Sequence, residues 1–329
     1  MIDKLRRKWN CLRRDTHWYL GLNRSYLINA TGARILVYHG ICRQDHLRFN
    51  TLFLKLKTLE CHLRFYKRYY NIISMDDFYE QRFSKNKFNI CLTFDDGLAN
   101  NHKYVLPLLQ QYQVPSTFFI TGIRDAGYDI LWNDFLSIVA RYGPKTLKYN
   151  GDLYVKNRYR KYVSVSNGKS LNDLLRSSDF ISKKKLMQVL SSQVGFKDDP
   201  RDEDYWRQMT GSQIRELSDY PLTTIGAHGY YHNDLSLISL GQAKDEMIQS
   251  KKYLEIITGK EVKAMAFPYG AYTEHVKEEA KKIGFTQLLT TNFLLPKDGD
   301  DATMKERLTI NPFISVINQM HANITGHYG

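Results

Sequence analysis

The chain has 329 residues, of which 43% are hydrophobic and 25% charged, a composition typical of a globular protein rather than a disordered one. Its length allows one barrel-sized domain or two smaller ones. The formal net charge of +13 favours an anionic surface, polymer or membrane leaflet as a partner. We recognise no secretory signal and no apolar run long enough to span a bilayer. We therefore expect a cytoplasmic protein and leave open that it associates with a membrane.

The first 33 residues are predicted to form a basic, partly helical extension. Ile2, Leu5, Trp9 and Leu12 recur at helical spacing among lysine and arginine residues. Two interpretations remain open for this segment. It is either a membrane-surface helix that makes peripheral contact with a bilayer, or a short helix packed on the domain or on a partner chain.

Strands and helices alternate from residue 34 onward. The spacing of apolar residues predicts a strand over 34–40 that ends at His39 and Gly40, a helix over 51–70 and a buried strand over 88–94. A helix through Val105 and Leu109 and a strand over 114–120 follow. Such alternation predicts a parallel sheet or barrel with crossover helices.

The alternation lapses between about 143 and 204, which we interpret as an insertion. This polar stretch carries turn signals at Asn150-Gly151 and Asn167-Gly168 and is predicted to be helical around 171–175 and 183–194. Regular elements then resume: a helix near 211–217, a strand over 222–227, a helix with a capping box from Ser239 to Gln242 and a stop at Gly259, a strand over 262–267, a helix capped by Thr273, and strands over 285–290 and 307–310.

Polar groups follow three of the predicted strands: Asp95 with Asp96, His228 with His232, and Pro268-Tyr269-Gly270. The carboxyl ends of strands in a parallel barrel face one rim, so these groups can converge there. Two imidazoles and one carboxylate suit zinc or another borderline divalent ion with coordination positions left open. A single helical turn over residues 228–232 would bring both histidines to the same side.

Each of these motifs also has a structural interpretation. Asp95-Asp96-Gly97 fits a polar turn, and a histidine pair at this spacing is often two hydrogen-bonded side chains without a ligand. The sequence after His228 lacks the HExxH arrangement, which disfavours peptidase chemistry.

Three motifs together carry a resemblance to a known family. Thr93-Phe94-Asp95-Asp96-Gly97, His228-Gly229-Tyr230-Tyr231-His232 and Phe267-Pro268-Tyr269-Gly270 resemble, in order and approximate spacing, the motifs of the polysaccharide deacetylase family, carbohydrate esterase family four. The resemblance covers roughly residues 34–142 and 205–310. It implies a distorted (β/α) barrel over 34–329, and a metal-dependent hydrolase that removes acetyl groups from amino sugars of glycans.

The resemblance also implies roles for individual residues. Asp96, His228 and His232 would be the metal ligands, with zinc the preferred ion, and Asp95 the general base that activates a metal-bound water. The backbone N–H of Tyr269, between Pro268 and Gly270, would donate to the oxyanion.

The sequence departs from the best-known members at three places. It has no Leu-x-His motif near the C-terminus, so we prefer His39 as the general acid, against the alternative of a structural histidine. Ala266 stands where many relatives have an arginine that orients the base, and we expect Arg307 to substitute. Gly229 stands where Ser or Thr is usual.

The leading hypothesis is therefore an N-deacetylase whose partner is an N-acetylated glycan. The alternatives are an O-acetyl esterase on the same scaffold, or a catalytically silent glycan-binding or membrane-associated module. We expect no nucleic-acid partner, because no recognised binding motif accompanies the positive charge. The aromatic residues considered for sugar stacking are Trp132, Tyr230, Tyr231, Tyr269 and Tyr272.

Overall fold

The structure is a computed structural model that describes residues 2–191 and 200–328. Its strands are β1 (Gly32–Tyr38), β2 (Ile41–Cys42), β3 (Leu54–Lys55), β4 (Asn71–Ile73), β5 (Phe88–Phe94), β6 (Ser116–Ile120), β7 (Thr146–Tyr149), β8 (Asp152–Lys156), β9 (Tyr162–Ser164), β10 (Thr223–Ala227), β11 (Ala264–Ala266), β12 (Gln287–Thr290) and β13 (Met304–Thr309). Its helices are α1 (Ile2–Tyr19), α2 (Arg24–Ile28), α3 (Leu56–Tyr69), α4 (Met75–Tyr79), α5 (Leu106–Tyr112), α6 (Trp132–Tyr142), α7 (Leu171–Arg176), α8 (Phe180–Ser191), α9 (Gly211–Asp219), α10 (Leu240–Thr258), α11 (Glu274–Lys282) and α12 (Val316–Thr325).

Seven parallel strands close into a barrel in the order β1, β13, β12, β11, β10, β6, β5, with β5 pairing back to β1. The predicted (β/α) barrel is thus confirmed. The barrel is distorted because one edge of β5 pairs with two different strands. Residues Asn89 to Cys91 pair with β4, and Leu92 to Phe94 pair with β6.

The barrel interior is filled by apolar side chains of unequal size. All seven residues of β5 are buried, as expected for a parallel strand covered on both faces. The ring of Phe119 packs near the small residues Ala264 and Ala266. A Cβ at Gly226 would collide with that ring, so glycine at this position lets the large side chain enter the barrel.

The predicted helix caps of the second half are confirmed. Ser239 and Gln242 form a capping box at the start of α10, and Gly259 ends that helix in the left-handed conformation. Thr273 accepts a hydrogen bond from the Val276 N–H at the start of α11.

Several predicted boundaries were wrong, including the strand predicted over 34–40, which ends at Tyr38, and the helix predicted over 183–194, which begins at Phe180. The helix predicted over 51–70 begins at Leu56, because Leu54 and Lys55 pair with β2 as a short strand. The last strand begins at Met304 rather than at residue 307, so Arg307 lies within β13 and not at its head.

The stretch between β6 and β10 builds a second hydrophobic cluster beside the barrel. An antiparallel sheet, β7 to β9, turns at Asn150 and Gly151, which both have positive φ as the turn signal predicted. Helices α6, α7 and α8 pack together with this sheet. Residues 192–194 of the second predicted helix lie outside the described residues, and the limits of the insertion remain a prediction.

The N-terminal helix α1 packs along α12 on the outside of the barrel. Ser315 Oγ donates to Asp15 at 2.6 Å, Asn318 Nδ2 donates to the Cys11 carbonyl at 3.0 Å, and the Trp18 ring lies 5.7 Å from that of Phe65. In the described part of the chain, no helix combines the length and the apolar character needed to cross a membrane.

Candidate active site

Three side chains converge at the carboxyl ends of β5 and β10. The Nε2 atoms of His228 and His232 lie 3.5 and 3.3 Å from Asp96 Oδ1. One donor atom from each residue lies within 4.8 Å of the other two, and all three side chains are buried. This donor set and spacing fit a divalent cation, since two imidazoles and a carboxylate are the usual ligands of zinc-like sites.

The backbone fixes the orientation of His228. Its Nδ1 lies 2.8 Å from the Ala266 carbonyl, so Nδ1 carries the proton and Nε2 is left as an electron-pair donor facing Asp96. Burial raises the pKa of Asp96, but the imidazoles of His228 and His232 beside it lower it by more, and the net pKa lies well below the ordinary value. The carboxylate is therefore ionised and available as a ligand.

Asp95 points to a different partner. Arg307 forms a two-pronged ion pair with it, with Nη1 to Oδ1 and Nη2 to Oδ2 both at 2.8 Å. Arg307 Nη1 also donates to Thr93 Oγ1 at 3.2 Å. Burial raises the pKa of Asp95, but Arg307 and then His228 lower it by more, so the net pKa is below its ordinary value. The guanidinium thus holds Asp95 ionised and fixes its orientation.

His39 reaches the same rim from β1. Tyr38 pairs with Phe94 in the barrel, and the Asp95 N–H donates to the Tyr38 carbonyl at 2.9 Å, so His39 directly follows the paired positions beside Asp95. Its charge lowers the pKa of both Asp95 and Asp96. The imidazole is half-buried, unlike the four neighbouring site residues, and so retains contact with solvent.

The third motif forms a tight turn with an unused donor. Tyr269 has φ 61° within the 3₁₀ turn Pro268–Gly270, and its backbone N–H donates to no other described residue. A Cβ at Gly270, which has φ +66°, would collide with Thr291 Oγ1. The turn therefore presents an N–H that is free to bind a ligand.

Left-handed backbone is concentrated in this site. Among the described residues other than glycine, seven have positive φ, and Asp96, His232 and Tyr269 are three of them. The loop over 228–232 is not the helical turn that the sequence spacing predicted, because Gly229 and His232 both adopt positive φ. Such strain persists only where surrounding contacts hold it, and it often marks functional positions.

Comparison with known proteins agrees with this geometry. The model of the family described as polysaccharide deacetylase matches residues 83–183 and 197–288, more than half of the chain. The chain belongs to the polysaccharide deacetylase family. It is thereby a hydrolase that acts on the N-acetyl amide bond of polysaccharides. A search of proteins with curated functions gave no match.

Solved structures share the deacetylase fold. A Streptococcus pyogenes deacetylase, PplD in complex with acetate, aligns with TM-score 0.58 and 18% identity over 89% of this chain and 99% of its own. A de-N-acetylase from Aggregatibacter actinomycetemcomitans aligns with TM-score 0.54 and 16% identity over 86% of this chain and 96% of its own. IcaB from Ammonifex degensii aligns with TM-score 0.54 and 15% identity over 90% of this chain and 98% of its own. At these identities the likeness concerns the fold.

The deacetylase site has one side that the sequence did not predict, a buried polar network under the histidine loop. Glu246 on α10 accepts hydrogen bonds from the N–H groups of Tyr230 at 3.2 Å and Tyr231 at 3.0 Å, and from Asn233 Nδ2 at 2.5 Å. The fully buried Lys183 of α8 donates to Asn233 Oδ1. Burial lowers the pKa of Lys183 to about 8, while Glu246 acts in the opposite direction. The network holds the loop over 228–232 against α10 and α8.

A second set of contacts joins the stretch between β6 and β10 to the same rim. Trp132 Nε1 donates to the His232 carbonyl at 3.1 Å, and Lys183 Nζ lies 4.6 Å from the centre of the Trp132 ring. Arg176 pairs with the buried Asp234 at 2.8 Å and lies 4.6 Å from the centre of the Tyr269 ring. The stretch between β6 and β10 therefore packs directly on the histidine loop and on the turn that carries Tyr269.

Most of the aromatic residues considered for sugar stacking have structural contacts instead. Trp132 is buried, Tyr230 donates to Asp125 at 2.7 Å, and Tyr272 donates to the buried Asp298. Tyr231 stacks on Phe180, with ring centres 4.2 Å apart. Of these five candidates, Tyr231 and Tyr269 are half-buried rather than buried, and the ring centre of Tyr269 lies 4.9 Å from that of His232.

Asp134, in the first turn of α6, is a buried carboxyl group that the sequence analysis missed. Its Oδ1 accepts a long hydrogen bond of 3.4 Å from Asn50, and its Oδ2 has no partner in the described part of the chain. Burial, and then the charge of Asp96, raise its pKa well above the ordinary value. No local motif marks Asp134, because its environment comes from elements distant in sequence.

Proposed function

We propose that this protein is a metal-dependent N-deacetylase that acts on an N-acetylated amino sugar within a polysaccharide or a glycan precursor. The observation that carries the proposal is the convergence of Asp96, His228 and His232 beside a separately held carboxylate, Asp95. The triad supplies ligands for one divalent cation, and Asp95 remains outside that set as a base. Zinc is the proposed ion because imidazole and carboxylate ligands with open positions suit it.

A divalent cation held by the triad supplies a Lewis acid that polarises the acetamide carbonyl and activates water. Asp95 takes the proton of the attacking water, a role that requires an ionised carboxylate held at a fixed orientation. Arg307 meets that requirement, since its two N–H groups engage both oxygens of Asp95. Arg307 is therefore proposed as a residue that positions the base.

The later steps need a hydrogen-bond donor for the oxyanion and an acid for the leaving amine. The free N–H of Tyr269, in the Pro268–Gly270 turn, is the proposed oxyanion donor. His39 is the proposed acid, because it adjoins Asp95 and is half-exposed, so it can exchange protons with solvent. Protonation of the nitrogen lets the amino sugar leave as a neutral amine while acetate is released.

The proposal is tested by measuring acetate and free amine released from N-acetylglucosamine oligomers by the full chain. We expect activity that a chelator removes and zinc restores. Asp95→Asn should lower kcat by about 10³-fold or more, the scale of a lost general base. Asp219→Asn, a change at an exposed carboxylate that ends α9, is the matched control and should leave kcat unchanged.

The same assay separates the alternatives. Preferential release of acetate from O-acetylated oligomers would indicate an esterase on this scaffold. A glycan-binding module without catalysis would retain oligomer binding, yield no acetate with any divalent ion, and bind glycan equally well as Asp95→Asn. Either result would overturn the N-deacetylase proposal.

A further inference from the structure

The outer face of α1 carries an apolar stripe that no described element of the chain covers. Leu5, Trp9 and Leu12 follow one another at helical spacing, and their exposed fractions are 62%, 64% and 59%. Tyr19, two turns beyond Leu12, continues the stripe, and Leu20 and Leu22 in the following turn are also exposed. Large apolar side chains clustered in this way are unusual on the surface of a monomeric globular protein.

Another side of α1 packs on the domain, so the helix has a fixed place in the fold. Cys11, Asp15 and Trp18 face the domain, where Asn318, Ser315 and Phe65 contact them. One face of α1 therefore packs on the domain, as one of the two predicted alternatives requires, while Leu5, Trp9 and Leu12 face outward. The side chain of Ile2 lies outside the described part of the chain.

Basic residues flank the apolar stripe. By helical spacing, Lys8 lies along one side of it, and Arg6 and Arg13 lie along the other. All three side chains are exposed. An apolar face bordered on both sides by cations is the pattern of helices that lie in the interface of anionic bilayers. The excess of positive charge in the whole chain, +13, adds to the attraction.

We propose that the outer face of α1 docks on the surface of an anionic phospholipid bilayer. Leu5, Trp9 and Leu12 would enter the boundary between headgroups and acyl chains, while the flanking cations contact lipid phosphates. A second copy of this chain is a poorer occupant, because two such faces would bring their arginine and lysine borders together. The proposal does not depend on the deacetylase chemistry, since α1 contributes no residue to the candidate active site.

The test is co-sedimentation of the full chain with vesicles of phosphatidylcholine alone and of phosphatidylcholine with phosphatidylglycerol. We expect binding to the anionic vesicles that weakens as salt rises. Combined Leu5→Ser, Trp9→Ser and Leu12→Ser should reduce the partition coefficient at least about tenfold, because the buried apolar area is lost. Replacing Arg6, Lys8 and Arg13 one at a time by Gln should weaken binding about fivefold each.

A matched control removes exposed apolar residues elsewhere: Ile181→Ser and Ile256→Ser, at positions 63% and 69% exposed. It should leave vesicle binding unchanged, and all variants should retain the circular dichroism spectrum of the parent chain. Equal binding by the α1 triple variant would overturn the proposal. So would light scattering that shows a dimer in solution dissociated by that variant, since the stripe would then be covered by a second copy.

Discussion

The two sides of the candidate active site are held in different ways. On the barrel side, Asp95 directly follows β5 and is held by Arg307 of β13, whose guanidinium also donates to Thr93 of β5. On the other side, the loop that carries His232 is held by Lys183 and Trp132, which come from the stretch between β6 and β10. The proposed base is thus positioned by the barrel itself, whereas the candidate ligand loop depends on residues between β6 and β10.

Changes on the two sides of the site should affect different properties of the enzyme. Changes on the barrel side should act on the rate of the chemical step, because they move the base. Changes under the histidine loop should act first on metal affinity, because they move a candidate ligand. Measuring both kcat and metal affinity for each variant tests whether the two sides act separately.

The largest effect is expected for Arg307→Lys. Lysine keeps the positive charge but cannot bind both oxygens of Asp95, so the base loses its orientation and kcat should fall about 100-fold. Metal affinity, measured with a competing chelator, should change little. Lys305→Arg on the same strand is the control and should behave like the parent chain. If Arg307→Lys kept full activity, the orientation of Asp95 would not depend on the two-pronged pair.

An intermediate effect is expected for Lys183→Met, which keeps the side-chain length but removes the donor to Asn233. The loop over 228–232 should become less well ordered, and metal affinity should fall about tenfold. At saturating metal, kcat should return close to the parent value, because Arg307 and Asp95 are untouched. Lys185→Met, an exposed position on the same helix, is the matched control. A loss of kcat that excess metal does not restore would show that the two sides are not separable.

The smallest effect is expected for Gly229→Ala. Its φ of +74° is unfavourable for alanine, and the new Cβ would meet Glu246 Oε2 and Pro268 Cγ at 3.3 Å each. We expect a loss of about 1–2 kcal/mol in the free energy of unfolding, measured by chemical denaturation. Gly241→Ala, in open space within α10, should be neutral or slightly stabilising. An equal response of the two variants would mean that the loop relaxes readily at Gly229.

The barrel and much of the site geometry could be predicted from sequence because their signals are local. Apolar periodicity gives the alternating strands and helices, and Ser239, Gln242 and Gly259 mark the ends of α10 at fixed offsets. Asp96, His228 and His232 each follow a strand, so barrel topology alone brings them to one rim.

Other features depend on tertiary contacts that no local pattern encodes. Lys183 looks like one of three consecutive solvated lysines, yet it is the one whose side chain is buried. The loop over 228–232 has helical spacing but is bent by Glu246, which lies on a different element. The outward orientation of Leu5 and Trp9 likewise follows from which face of α1 finds α12.

The closing position of β13 has a consequence for the order in which the site is assembled. This strand bridges β12 and β1, the first barrel strand in the chain, and it carries Arg307. Asp96, His228 and His232 all precede it in the chain, so the candidate ligands are synthesised before the residue proposed to orient the base. Under the proposed mechanism, catalytic competence is tied to completion of the barrel. A chain that ends before β13 would contain the candidate metal ligands without Arg307 to hold Asp95.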